Sequence, residues 1–119
     1  MKLNGTMLST EDPQKLAEFY TKLLGEPAWK EDGWTGFSAG SNLMIGPHSE
    51  VKGQSKSPAR IMMMFETNEI EAEYSRIRAI GAEIIAELYH PNPEDENMRM
   101  ATFADPDGNY FQIATPWEG

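Results

Sequence analysis

Phe103-Ala104-Asp105-Pro106-Asp107-Gly108-Asn109-Tyr110-Phe111-Gln112-Ile113 is the stretch whose reading decides the fold. Asp-Pro-Asp-Gly between two apolar runs is a tight turn: proline presets φ at its second position, and glycine supplies the positive φ that other residues resist. Residues 98–104 and 110–115 are therefore expected to form a hairpin, with Asp105 and Asp107 belonging to the turn rather than to a catalytic carboxylate pair.

Working outward, residues 82–89 read as another strand, joined to the hairpin by the acidic loop 90–97. Before it, Ile70, Tyr74, Ile77 and Ile80 fall on one face of a helix that Gly81 closes. Asn68, with Glu71 three residues on, makes a capping-box-like start for that helix. Residues 60–67 form the strand ahead of it. The first half follows the same plan. Residues 3–9 are a strand, Asp12 is an N-cap with Pro13 at the first helical position, and Leu16, Phe19, Tyr20, Leu23 and Leu24 form an apolar stripe ending at Gly25. Three short strands follow, 27–30, 34–39 and 43–46, separated by Asp32-Gly33 and Gly40-Ser41-Asn42. Gly25 and Gly81 are 56 residues apart, and the same offset brings Asp12 to Asn68, Lys22 to Arg78 and Leu24 to Ile80.

The expected fold class is α+β: two βαβββ modules, module one over 1–47, a linker over 48–58 and module two over 59–119, within one domain. Each half is too small to bury both faces of its sheet, so the halves pair within one chain or between two.

The 119 residues include 39% hydrophobic and 24% charged types, within the globular range, and no run approaches the roughly 18 apolar residues of a membrane span. With no cysteine, disulfides and thiolate chemistry are excluded, and with no apolar stretch after Met1-Lys2-Leu3-Asn4-Gly5 a secretory signal is not expected; both fit a cytoplasmic protein. The formal charge of −9 would repel nucleic acid and anionic membranes. It is read either as a bias toward cationic ligands or as an acidic, soluble surface. No nucleophile elbow or phosphate-binding glycine loop is present.

Three segments together resemble the vicinal oxygen chelate superfamily, the group of glyoxalases, bleomycin-resistance proteins and ring-cleaving dioxygenases. They are Phe19-Tyr20-Thr21-Lys22-Leu23-Leu24-Gly25, Ile80-Gly81-Ala82 and the stretch quoted first. The resemblance implies a mixed sheet from two modules curling into a cup, helices outside, and a small-molecule site inside, often at a homodimer interface. It also implies, in the family's enzymes, a divalent metal held from the first and last strands of each module. The matching positions here are Gly5, Ile45, Arg60 and Gln112, of which only Gln112 carries a ligand atom. His48 and His90 fall in the linker and the acidic loop, not on these strands. No metal, cofactor or catalytic residue is therefore assigned.

Side-chain alternation from those positions places Met7, Ser9, Leu43, Arg60, Met62, Met64, Tyr110, Gln112 and Ala114 toward the cup, and Leu8, Met44, Ile61, Met63, Phe65, Phe111 and Ile113 under the helices. Trp34 and Met100 join the cup. The candidate ligand-binding residues are thus Met7, Trp34, Arg60, Met62, Met64, Met100, Tyr110 and Gln112. Methionines and aromatic rings suit a flat apolar ligand, although Met62 and Met64 are equally readable as core. Arg60 would hold an anionic group or stack on a ring if it faces the cup, and is an ordinary edge arginine otherwise. Residues Glu94-Asp95-Glu96 are a solvated loop or a charged lip for a cationic ligand. The expected function is metal-free binding of an apolar or aromatic small molecule, neutral or cationic, by a homodimer. The alternatives are a lyase or isomerase with an atypical metal site, or a metal-independent catalyst using Arg60, Tyr110 or Gln112, and a degenerate copy serving as a regulatory or structural partner.

Overall fold

The computed structural model describes residues 1–117. They fall into two compact units, divided between Gln54 and Ser55, and each is taken by itself.

The first unit holds β1 (Gly5–Thr10), α1 (Pro13–Leu24), β2 (Trp29–Glu31), β3 (Trp34–Ser38) and β4 (Asn42–Pro47). The sheet runs β1-β4-β3-β2, with β1 parallel to β4 and the other pairs antiparallel. Helix α1 starts as its sequence dictates: the Asp12 carboxylate accepts the amide of Lys15 at 3.1 Å, and Pro13 occupies the first turn, where its missing N–H removes nothing. Leu16, Phe19, Tyr20 and Leu23 are buried on the face toward the sheet. Residues 48–54 stay with this unit, since Glu11 accepts the amide of Gly53 at 2.6 Å and lies 3.9 Å from the Lys52 ammonium.

The second unit holds β5 (Met63–Glu66), α2 (Ile70–Ala79), β6 (Glu83–Tyr89), β7 (Met100–Ala104) and β8 (Tyr110–Ala114), with the sheet order β5-β8-β7-β6 and β5 parallel to β8. The repeated strand, helix, three-strand plan is thus present in both units, and the fold is α+β. Under α2 an aromatic chain fills the core: Tyr74 lies 5.6 Å from Phe103, Phe103 5.7 Å from Phe111, and Phe111 6.0 Å from Phe65.

The β7–β8 turn is built on Asp105. Its carboxylate, in a residue only 5% exposed, accepts the amides of Asp107 and Asn109 at 2.9 and 3.0 Å, and the Asn109 side-chain amide at 3.2 and 3.0 Å. Gly108 takes φ +79° and donates to the Asp105 carbonyl at 2.9 Å. Asp105 is therefore a structural residue.

Four expectations need correction. The strand expected over 60–67 begins only at Met63, because the Arg60 amide donates to the Ser57 carbonyl at 3.0 Å and closes a turn there. Arg60 and Met62 consequently stand outside the strand. The N-cap of α2 is Glu69, not Asn68, and no side chain caps it: Thr67 instead accepts the Glu69 amide at 3.0 Å, so the capping box does not form. Leu43 does not face away from the helix. It pairs with Phe37, as Ile45 does with Thr35, and all four are buried on the α1 side, which turns Met44 to the opposite face. The strand expected from residue 98 starts at Met100.

Replacing Asp105 with Ala should lower the unfolding free energy by about 2–4 kcal/mol, since several charge-assisted hydrogen bonds go and two amides are left without an acceptor. Urea denaturation checks this; Asp105→Asn should lose less, and an unchanged midpoint for Asp105→Ala would show that the turn does not rest on the carboxylate.

Candidate functional site

The sheet faces turned away from the helices carry polar and large apolar side chains that the helices do not cover. In the first unit the register fixes that face. Met7 pairs with Met44, Met44 with Gly36, and Gly36 with Trp29. Two indoles lie across glycines of the neighbouring strands, Trp34 over Gly46 and Trp29 over Gly36, so closely that a methyl group on either glycine would overlap the ring. Without a side chain, glycine lets a large ring lie down on the sheet instead of standing up from it. Met7 is 56% exposed and Trp29 42%. The result is a flat apolar surface of two indoles and two thioethers.

In the second unit the same side of the sheet carries Met64 opposite Gln112, Thr102 on the other side of Gln112, and Met100 opposite Ala114. Gln112 and Thr102 are buried, and the Gln112 amide donates to the Thr102 hydroxyl at 3.1 Å. Met100 is buried as well, whereas Met64 is 53% exposed and Tyr110 half-buried. At the Tyr110 end a shallow hollow of about 580 Å³ is lined by Ser57, Pro58, Ala59, Arg60 and Tyr110.

Met7 and Trp34 share one face of the first sheet, and Met64, Met100, Tyr110 and Gln112 share one face of the second. Arg60 joins Tyr110 from the turn before β5, not from a strand. Met62 lies outside the strand and half-buried. Trp29, Met44 and Thr102 were not singled out by the sequence. Trp29 was legible in principle, since Gly36 sits where a cross-strand ring needs room; Met44 was hidden by an alternation counted from the wrong residue.

A larger hollow, about 960 Å³, lies between α1 and the β2–β3 turn. Glu18, Glu31, Asp32 and Lys30 rim it, a mixture of charges on the helix side of the sheet that suits water better than a flat apolar body.

The donors on these faces do not fit the divalent metal that the fold implies. Gly5 and Gln112 do lie on the faces away from the helices, but Ile45 is fully buried under α1 and Arg60 is a cation in a turn. Met44 and Gly46, which replace Ile45 on the relevant face, and Met64, beside Gln112, offer no oxygen or nitrogen side-chain atom. Among the described residues no three His, Cys, Asp or Glu side chains converge. His48 accepts the Glu50 amide at 3.1 Å and His90 sits 3.2 Å from the Met98 carbonyl, each within its own loop.

A glyoxalase-like domain model matches residues 5–114, nearly the whole chain and both modules. The chain belongs to this glyoxalase-like family, within the vicinal oxygen chelate superfamily. Solved structures agree in fold. A glyoxalase/bleomycin resistance protein/dioxygenase from Nocardioides is 24% identical over 100% of this chain and 85% of that one, with a TM-score of 0.72. A glyoxalase-related enzyme from Fulvimarina pelagi is 19% identical over 98% and 88%, with a TM-score of 0.77. The fosfomycin resistance protein FosX from Listeria monocytogenes, solved with Mn(II) and a dihydroxypropylphosphonic acid, is 20% identical over 94% and 87%, with a TM-score of 0.74. No curated protein matches the chain. No helix among the described residues is long and apolar enough to cross a membrane.

Gly46→Ala should lift the Trp34 ring off the sheet, changing near-ultraviolet dichroism and tryptophan emission and destabilising the protein by about 1–3 kcal/mol. Unaltered spectra would mean that Trp34 does not lie on Gly46.

Proposed function

We propose that this glyoxalase-like protein binds a small, flat, apolar or aromatic molecule without a metal ion and without converting it. The observation that carries the reading is the pair of sheet faces that keep Met7, Trp29 and Met64 exposed. Large apolar side chains on a strand face otherwise seek burial, at about 25 cal/mol per Å². Thioethers and indoles adapt to varied ring systems, so the surface is suited to capture rather than to one defined reaction geometry. The donor set described above supports the metal-free part. We propose further that the protein works as a homodimer in the cytoplasm, which the family resemblance and the cysteine-free composition favour, and that its charge of −9 keeps it off nucleic acid and anionic membranes. A glyoxalase-like lyase or isomerase with an atypical or absent metal site is the alternative, favoured only by the family itself.

A panel of planar aromatic compounds, neutral, cationic and anionic, tests this by differential scanning fluorimetry and by quenching of tryptophan emission in a Trp117→Phe background, since Trp117 is 77% exposed and would mask the signal. At least one compound should raise Tm by several degrees at saturating concentration and quench emission. Met7→Ala should weaken binding to the first unit's face severalfold, and Met64→Ala binding to the second unit's. A panel with no stabilising member would overturn the reading, and turnover of a bound compound would favour the alternative.

A further inference from the structure

We propose that the Arg60–Tyr110 hollow binds an oxyanion, so that the ligand is a small organic acid with a carboxylate or phosphoryl group at one end; this rests on the small-molecule reading above and narrows it. Three observations carry it. The first concerns the arginines. The chain has four, and three are engaged: Arg76 with Glu73 at 2.6 Å, Arg99 with Glu71 at 2.8 Å, and Arg78 over the Tyr74 ring at 5.8 Å. Arg60 alone has no partner for its side chain among the described residues, in a chain where acidic residues outnumber basic ones 19 to 10. Arginine's planar fork loses its advantage over lysine when nothing occupies it.

The second observation is what surrounds it. The hollow is lined by Ser57, Pro58, Ala59, Arg60 and Tyr110. The hydroxyls of Ser57 and Tyr110, like the guanidinium, have no partner within the described residues. Every side-chain polar group facing the hollow can donate a hydrogen bond, and none is a carboxylate. Such a set complements an acceptor-only oxyanion and offers nothing to a cation.

The third is that the hollow is held in shape. The Ser55 amide donates to the Asp107 carbonyl at 2.8 Å, and the Arg60 amide to the Ser57 carbonyl at 3.0 Å. The turn bearing Ser57 and Arg60 is thereby tied to the β7–β8 hairpin, whose next strand begins with Tyr110. A preformed donor set loses less freedom on binding than one gathered by the ligand. Position along β8 then orders the ligand. Tyr110 and Gln112 are two residues apart on one face, about 7 Å, and exposed Met64 stands beside Gln112. An oxyanion on Arg60 would leave a flat apolar body reaching toward Met64.

The test compares benzoate with the neutral, nearly isosteric benzamide, and adds inorganic phosphate, by amide and arginine side-chain NMR shifts in the full chain at low ionic strength, where screening is weak. Benzoate should bind about tenfold more tightly than benzamide and should shift the Arg60 Nε and Tyr110 signals, and phosphate should shift the same signals. Arg60→Gln should abolish the preference, Arg60→Lys should keep part of it, and Tyr110→Phe should reduce it severalfold. Because Arg60 is exposed, the urea midpoint of Arg60→Gln should match the parent and so confirm a folded variant. Equal binding of the two compounds, a preference that survives Arg60→Gln, or failure of both anions to shift Arg60 would overturn the inference. Benzamide binding without a charge preference would do so while leaving the apolar-ligand reading intact.

Discussion

The β7–β8 hairpin hangs on one buried carboxylate. A group such as Asp105 can leave water only if its lone pairs are occupied, and the turn meets that demand with its own amides, from Asp107 and Asn109. The position of Tyr110 relative to Ala104 is fixed in consequence, and with it the whole pairing of β8. One residue of slippage would exchange Phe111 and Ile113 for Tyr110, Gln112 and Ala114 in the aromatic core under α2. The polar and apolar faces of the second sheet are thus decided at a turn outside both of them.

That dependence explains which parts of the structure were legible in sequence. Around β8 the alternation had a fixed anchor in the turn, and Met64, Tyr110, Gln112 and Met100 emerged on one face as expected. Asp12, Pro13 and the stripe from Leu16 to Leu23 were equally plain, because caps and helical periodicity act over a few residues. Where no anchor lay nearby the reading slipped. Leu43 and Met44 exchanged faces because alternation was counted from Ile45 as a presumed site position, whereas Ile45 belongs to the core. Arg60 and Met62 were assigned to a strand on apolar character, although Pro58 marks a turn that consumes the Arg60 amide. Asn68 had the composition of a cap but lost the place to Glu69.

The two sheets treat their exposed faces differently. The first lays indoles over glycines and remains apolar; the second seals Gln112 against Thr102 and leaves Met64 and the Tyr110 hollow accessible. Among the described residues neither supplies the convergent oxygen and nitrogen donors that a divalent ion needs, since apart from Gln112 the positions that would do so hold a glycine, a buried isoleucine and an arginine. The family's frame is retained here with methionine and indole side chains on the faces that the helices leave uncovered.

The most direct measurement is elemental analysis of protein purified without chelator, paired with ligand titration before and after exhaustive dialysis against EDTA. Far less than one divalent ion per chain is expected, with a binding isotherm that EDTA leaves unchanged. A stoichiometric metal whose removal abolishes binding would contradict it.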